Sequence, residues 1–266
     1  MTEIFPEIGE EIVRAEELRK TFTLSRKQQK IEKTGLSRKV AVDGLNFSAY
    51  RGQIYGLLGP NGAGKTTTLR ILSTLIRPDS GDAFVCGCSV RKEPQKVRDK
   101  IGFMTSELKL DGFFTPDYLF RFFGEMHGVG ADVIEKRKKE LFARFGIDKF
   151  AEVRVKDLST GMKQKISLVV SIVHDPDVII FDEPTNGLDV LTAKVVTDFL
   201  SELKSMGKSI ILSTHIFSLV EKLCDRVSII IDGKSIADGT LEEICAGDTL
   251  EHKFFEIYKN VKGEEI

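Results

Sequence analysis

The run Gly59-Pro60-Asn61-Gly62-Ala63-Gly64-Lys65-Thr66-Thr67 gathers three glycines, a lysine and two threonines into one short loop. Glycines let the backbone curl until successive N–H groups point inward, a geometry suited to phosphate oxygens. A lysine at the end of such a curl reaches the outer phosphates of a nucleotide as a point charge, and the hydroxyl after it can hold Mg2+. Those roles fall on Lys65 and Thr66, with Gly59, Asn61, Gly62, Gly64 and Thr67 completing the loop. A second cluster supplies the other half of the chemistry. Val178-Ile179-Ile180-Phe181 is apolar without alternation, and it ends in Asp182-Glu183. A carboxylate at the end of a buried strand can hold the same Mg2+, which is the reading for Asp182. Glu183 is then placed to orient and deprotonate a water that attacks the outermost phosphate. The chemistry so described is hydrolysis of a nucleoside triphosphate.

These residues need particular elements around them. Gln53-Ile54-Tyr55-Gly56-Leu57-Leu58 reads as a buried strand entering the loop, and Thr68 to Ile76 as a helix leaving it, with Leu69, Leu72, Leu75 and Ile76 apolar. A helix N-terminus there adds partial positive charge where phosphate sits. The unalternating run at Val178–Phe181 predicts a parallel strand covered on both faces. Further strands are predicted at Ile12–Ala15, Leu45–Tyr50, Gly81–Val85, Ile101–Met104, Ser209–Ser213, Val227–Ile231 and Lys234–Ile236, with Asp232-Gly233 as the turn between the last two. Thr115 to about His174 reads as helical, and helices recur at Val195–Leu203 and Leu219–Leu223. Strands alternating with helices around an inserted helical block describe an α/β core carrying an α subdomain.

The bulk properties narrow the class. The chain has 266 residues, a formal net charge of -1 and 41% hydrophobic residues, an ordinary soluble composition. The basic footprint of a nucleic-acid binder is missing, so no nucleic-acid partner is expected. No apolar run approaches the ~20 residues of a membrane span, and Met1 to Glu10 lacks the apolar core of a secretory signal. Cys86, Cys88, Cys224 and Cys245 match no zinc spacing and are expected as reduced thiols, with Cys86-Gly87-Cys88 in a strand. Ser25 to Lys39 is polar and basic; it reads as a solvated hairpin loop, with contact to anionic lipid as the sharper alternative. His127, His174 and His252 have no motif around them.

Leu158-Ser159-Thr160-Gly161-Met162 opens a further helix upstream of the acidic strand. Together with the phosphate loop before it and Asp182-Glu183 after it, this resembles the signature of the ABC-family ATPases. Thr185-Asn186-Gly187-Leu188-Asp189 looks like that family's D-loop, and Ser213-Thr214-His215 like its switch histidine. The resemblance runs from about Ile12 to Ile244. It implies a P-loop NTPase (RecA-like) core with an antiparallel β subdomain and an inserted α-helical subdomain. The implied bounds are an ATPase domain at 11–245, with its catalytic core at 11–103 and 176–245 and its helical subdomain at 104–175, then a C-terminal extension at 246–266.

The resemblance also implies a mechanism: two copies pack head to tail with two ATP molecules between them. Ser159 and Gly161 of one copy then face the phosphate loop of the other, Asp189 bridges the copies, and His215 contacts the γ-phosphate. Phe22, in Leu18-Arg19-Lys20-Thr21-Phe22, matches the aromatic that stacks on adenine. The cofactors implied are ATP and Mg2+. The partners are an identical or sister ATPase subunit and a separate transmembrane permease, at the cytoplasmic face of the cell membrane. The aromatic-rich stretch Phe113, Phe114, Tyr118, Phe120, Phe122 and Phe123 reads mainly as subdomain core, with a permease groove as the alternative.

One position departs from the family pattern. A Gln usually ends the strand that leads into the helical subdomain, and Ser106 stands there, a shorter Mg2+ ligand next to Glu107. The stretch Ile101 to Gly128, with Leu158 to Lys165, looks like the Nat-type sodium-efflux subgroup, which works with exporter permeases. The expectation is an ATP-hydrolysing subunit of an exporter, with sodium as cargo. The rivals are an exporter of a drug or other non-ion cargo, an ABC ATPase acting outside transport, and a GTPase. No Asn/Thr-Lys-X-Asp guanine element occurs to support the last.

Overall fold

The computed structural model describes residues 9–31, 35–105 and 110–263. In chain order the elements are β1 (Glu11–Thr23), α1 (Arg26–Ile31), β2 (Arg38–Tyr50), β3 (Ile54–Leu58), α2 (Lys65–Leu72), β4 (Ser80–Val85), β5 (Cys88–Ser89), α3 (Pro94–Lys100) and β6 (Ile101–Thr105). Then come α4 (Pro116–Met126), α5 (Ala131–Phe145), α6 (Thr160–Ser171), β7 (Val178–Asp182), α7 (Val190–Ser205), β8 (Ser209–Thr214), α8 (Phe217–Leu223), β9 (Arg226–Ile231), β10 (Lys234–Thr240), α9 (Leu241–Cys245) and α10 (Leu250–Lys262).

Two sheets result. One has six strands in the order β10-β9-β3-β8-β7-β6 and is parallel except at β10; the other has four antiparallel strands, β2-β1-β4-β5. The unalternating sequence of the central strands has a direct cause. In β7, Ile179 and Phe181 enter the core shared with helices α4 to α8, while Val178 and Ile180 enter the core between the two sheets. In β3, Ile54 and Leu58 take the first side, Tyr55 and Leu57 the second. Each such side chain gains about 1.5–3 kcal/mol from burial, so both faces select apolar residues. Leu69, Ile71 and Leu72 of α2 fill the space between the sheets. The architecture is the P-loop core, antiparallel β subdomain and helical insertion expected from the motifs.

The differences are local. α2 stops at Leu72, not at Ile76: Thr74 turns left-handed with φ 60° and Leu75 is exposed. Cys86 and Gly87 form the left-handed turn between β4 and β5, so the predicted cysteine strand is a hairpin. The basic stretch is not a simple loop, since Arg38 and Lys39 already belong to β2 and α1 lies within the connection. In the C-terminal extension, Leu250 and Phe254 of α10 pack into the core.

Candidate functional site

The parallel order β3-β8-β7 brings three strand ends together. Leu58 sits opposite Thr214 across one strand pair, and Asp182 opposite Ser213 across the next. The phosphate loop, Asp182-Glu183 and His215 therefore share one edge of the sheet, outside the C-terminal ends of the strands.

The loop's shape is enforced by its neighbours. Gly64 adopts φ 107°, and a Cβ there would stand 2.2 Å from the Ala41 carbonyl oxygen. A Cβ at Gly59 would stand 2.2 Å from the Ile230 carbonyl oxygen. Only glycine fits such approaches. The β9–β10 turn braces the loop from outside, with the Gly233 N–H donating to the Ala63 carbonyl at 2.9 Å.

Lys65 is buried, and its Nζ donates to the Gly59 and Pro60 carbonyls at 2.6 and 3.0 Å. Burial pushes its ammonium below the ordinary lysine value, while the carboxylates of Glu183 and Asp182 pull it back up. Thr66 Oγ1 donates to Asp182 Oδ1 at 3.1 Å, and Ser213 Oγ donates to the same oxygen. Glu183 follows with φ 51°, its N–H donating to the Ser213 carbonyl at 3.1 Å. Its Oε1 lies 3.0 Å from His215 Nδ1, and its Oε2 accepts from Asn186 Nδ2 at 2.7 Å. A hydroxyl and a carboxylate in contact form a hard-oxygen pair. That pair fits Mg2+, a hard cation that takes oxygen ligands.

Lys65, Thr66 and Glu183 open onto a cavity of about 290 Å3. Asn61, Gly62, Gly64, Lys65, Thr66, Thr67 and Glu183 line one side, and Phe22, Leu24, Lys39 and Ala41 the other. Phe22 is 39% exposed, so it is not packed into the core.

Ser159, Gly161 and Asp189 lie elsewhere. Ser159 caps α6 by accepting from the Met162 N–H at 3.3 Å. Asp189 caps α7, with Oδ1 accepting from the Leu191 and Thr192 N–H groups at 3.0 Å each and Oδ2 from Thr192 Oγ1 at 2.7 Å. Those hydrogen bonds hold the Asp189 carboxyl below its ordinary value, that from the Thr192 hydroxyl most of all. A methyl on Gly161 would stand 3.7 Å from Thr192 Oγ1 and 3.9 Å from Asp189 Oδ2, so signature and D-loop are neighbours. Beside them Val190 and Leu191 are 84% and 78% exposed. Ser106 and Glu107 lie outside the described residues.

Sequence reasoning missed four contributors: Ser213, Asn186, Lys39 and Gly233. Ser213 was legible in principle, as a hydroxyl ending a buried strand. The others depend on register and turn placement that spacing does not carry.

A P-loop NTPase of the ATP-binding-cassette type is what this fold and site define. The ABC transporter family model matches residues 42–186, and the chain belongs to that family. It is the ATP-binding subunit of an ABC transporter, an ATPase. An uncharacterized ABC transporter ATP-binding protein of Methanocaldococcus jannaschii is 40% identical over 78% of this chain and 74% of its own length. The Nod factor export ATP-binding protein I of Ralstonia nicotianae is 39% identical over 77% of this chain and 64% of its own. NatA of Bacillus subtilis, an ABC transporter ATP-binding protein, is 36% identical over 79% and 86%. Among solved structures, an ATP-binding subunit of an ABC transporter matches with TM-score 0.83 and 26% identity, over 93% of this chain and 100% of that one. A dimeric cassette bound to ADP and Pi shares the fold, with TM-score 0.76 and 22% identity over 86% and 99%.

Proposed function

We propose that this subunit powers an exporter, with two copies or a copy and a sister subunit closing head to tail on ATP. One observation carries the reading: the site is divided. Lys65, Thr66 and Glu183 line one cavity, with Asp182 bonded to Thr66 and His215 to Glu183, while Ser159 and Gly161 sit with Asp189 on another patch beside exposed Val190 and Leu191. An anion-binding helix start and an apolar pair left in water suit burial against a second cassette.

Within the closed pair, Lys65 and the loop N–H groups hold the β- and γ-phosphates, and Phe22 stacks on the base. Thr66 and Asp182 would hold Mg2+, which would supply charge neutralisation at the phosphates. Glu183 takes the proton of the attacking water, and His215 fixes the carboxylate and meets the γ-phosphate. Loss of that phosphate removes the bridge to Ser159, and the pair opens.

The permease is a separate chain. Phe114, just before α4, stacks on Tyr118, and Tyr118 on Phe122 one turn along the helix, with centroids 4.5 and 5.9 Å apart; all three are exposed. That ladder is the surface we assign to it, at the cytoplasmic face of the membrane. No helix among the described residues is long and apolar enough to cross a membrane. The export direction rests on the relatives named for export, and sodium on the Nat-type resemblance.

The test is oligomeric state. Glu183→Gln with MgATP should elute and scatter as a dimer, and with ADP as a monomer. A variant that stays monomeric in saturating MgATP overturns the two-cassette reading. Sodium flux in vesicles holding this chain and its permease decides the cargo separately.

A further inference from the structure

The rim of the cavity holds a contact that the hydrolysis chemistry does not use. Lys20 Nζ stands over the Phe22 ring, 5.7 Å from its centroid. The ammonium is tethered on two sides, donating to the Arg77 carbonyl at 2.8 Å and to Asp79 Oδ1 at 2.9 Å. The other Asp79 oxygen accepts from the Thr21 N–H at 2.7 Å. One carboxylate thus pins both residues that precede Phe22. The bond from Lys20 and then that from Thr21 hold the Asp79 carboxyl below its ordinary value. Asp79 immediately precedes β4, in the loop that leads there from α2, and α2 itself starts in the phosphate loop. The base-contacting ring and the phosphate loop are therefore joined through one short relay.

Phe22 needs such support. It stands near the end of β1, paired only with Lys39 across the strand, and its ring is 39% exposed. A ring half in water and free to rotate stacks weakly, because ordering it costs entropy when the ligand arrives.

We propose that Lys20 is a positioning residue for base recognition. Its ammonium holds one face of Phe22 by cation–π attraction and leaves the ring preset for the adenine on the other. The inference rests on Phe22 as the stacking residue, and it adds what orients that ring. The cation also matches the ring's charge distribution: the aromatic face is electron-rich, and an ammonium within about 6 Å of the centroid is attracted to it.

The experiment measures Kd for MgATP and for magnesium tripolyphosphate, a probe with the phosphates and no base. The proteins are the wild-type chain, Lys20→Met, Lys20→Arg and Phe22→Leu. Lys20→Met should weaken MgATP about three- to tenfold and leave tripolyphosphate unchanged, and Lys20→Arg should restore most of the loss. Equal losses for both ligands in Lys20→Met would mean a general distortion of the site and overturn the proposal. Unchanged MgATP affinity in Lys20→Met with a loss in Phe22→Leu overturns it too and leaves stacking standing. No loss in Phe22→Leu removes the stacking reading, and this inference with it.

Discussion

Glu183 Oε1 lies 3.0 Å from His215 Nδ1, while Glu183 Oε2 accepts from Asn186 at 2.7 Å. Both carboxylate oxygens are thus oriented before any substrate arrives, on a residue whose backbone is left-handed at φ 51°. Such orientation matters because a general base works only within hydrogen-bond reach of its water. Glu183→Gln keeps the shape and loses the base, so phosphate release at saturating MgATP should fall at least about 10²-fold, with MgATP affinity retained. His215→Ala leaves the base but frees one oxygen, and misplacement of that order costs about 10²-fold. Near-wild-type turnover in either variant would remove the water-activating role.

Lys65→Met tests the phosphate grip. The ammonium is held by two loop carbonyls at 2.6 and 3.0 Å, and bound phosphate would take over part of that hydrogen bonding. A charge-assisted bond contributes about 1.5–3 kcal/mol. MgATP affinity should therefore drop about 10- to 100-fold, measured by equilibrium titration. Unchanged affinity would mean that the lysine only supports the loop.

The glycines of the loop should separate by mechanism. Gly64→Ala forces a Cβ to 2.2 Å from the Ala41 carbonyl at φ 107°, and neither backbone can give way cheaply. Gly62 has φ 83° but meets nothing within 4 Å. Gly62→Ala should cost about 1–2 kcal/mol of backbone strain and keep MgATP binding. Gly64→Ala should lose binding outright. Thermal melting and titration of both variants check this, and equal behaviour would mean that the close approach is unimportant.

The same loop shows what the sequence could and could not carry. Gly59–Thr67 and Asp182-Glu183 announce their chemistry because phosphate and water-activating groups need those residue types in that order. β3 and β7 were legible because burial on both faces leaves an unalternating apolar run. The end of α2 was not, since Leu75 and Ile76 continue the helical spacing while a left-handed Thr74 breaks it. Nor was the shared hydroxyl arrangement on Asp182. Thr66 and Ser213 are 147 residues apart in number, and only the β7–β8 register brings them to one oxygen. Lys39 read as part of a basic surface because nothing in charge alone says that β2 begins at Arg38 and faces the cavity.

The aromatic ladder at α4 gives a prediction about coupling. Tyr118 and Phe122 are four residues apart on one face of α4, and Phe114, in the bend before the helix, stacks on Tyr118. Phe120 is buried, so the stretch splits between core and surface. Tyr118→Ser removes the middle ring without touching the nucleotide cavity. In vesicles with the permease, its ATPase stimulation should fall severalfold, while the permease-free rate stays at the wild-type level. Full stimulation would move the docking surface elsewhere.

His174 gives the chain an acid-sensitive contact. Its ring stacks on His127 with centroids 3.8 Å apart and planes 5° apart, and Nε2 lies 2.9 Å from the Ile101 carbonyl oxygen. That carbonyl can only accept, so Nε2 carries the proton and Nδ1, buried without a partner, holds the bare lone pair. Burial, then His127, pushes the imidazole from 6.5 to about 4, with Arg137 acting the same way and Asp175 and the Ile101 carbonyl opposing. The folded state thus favours the neutral ring. This contribution is fully present above pH 6.5, where the unfolded ring is also neutral. It declines as the unfolded chain takes up its proton, and it is gone once pH passes below about 4. Solvent at the half-buried ring limits the effect to about 1–2 kcal/mol. Urea midpoints of the wild-type chain and His174→Gln, followed from pH 7 to 4, should converge toward acid, the wild type losing more. Parallel curves would show that His174 takes its proton equally well in both states.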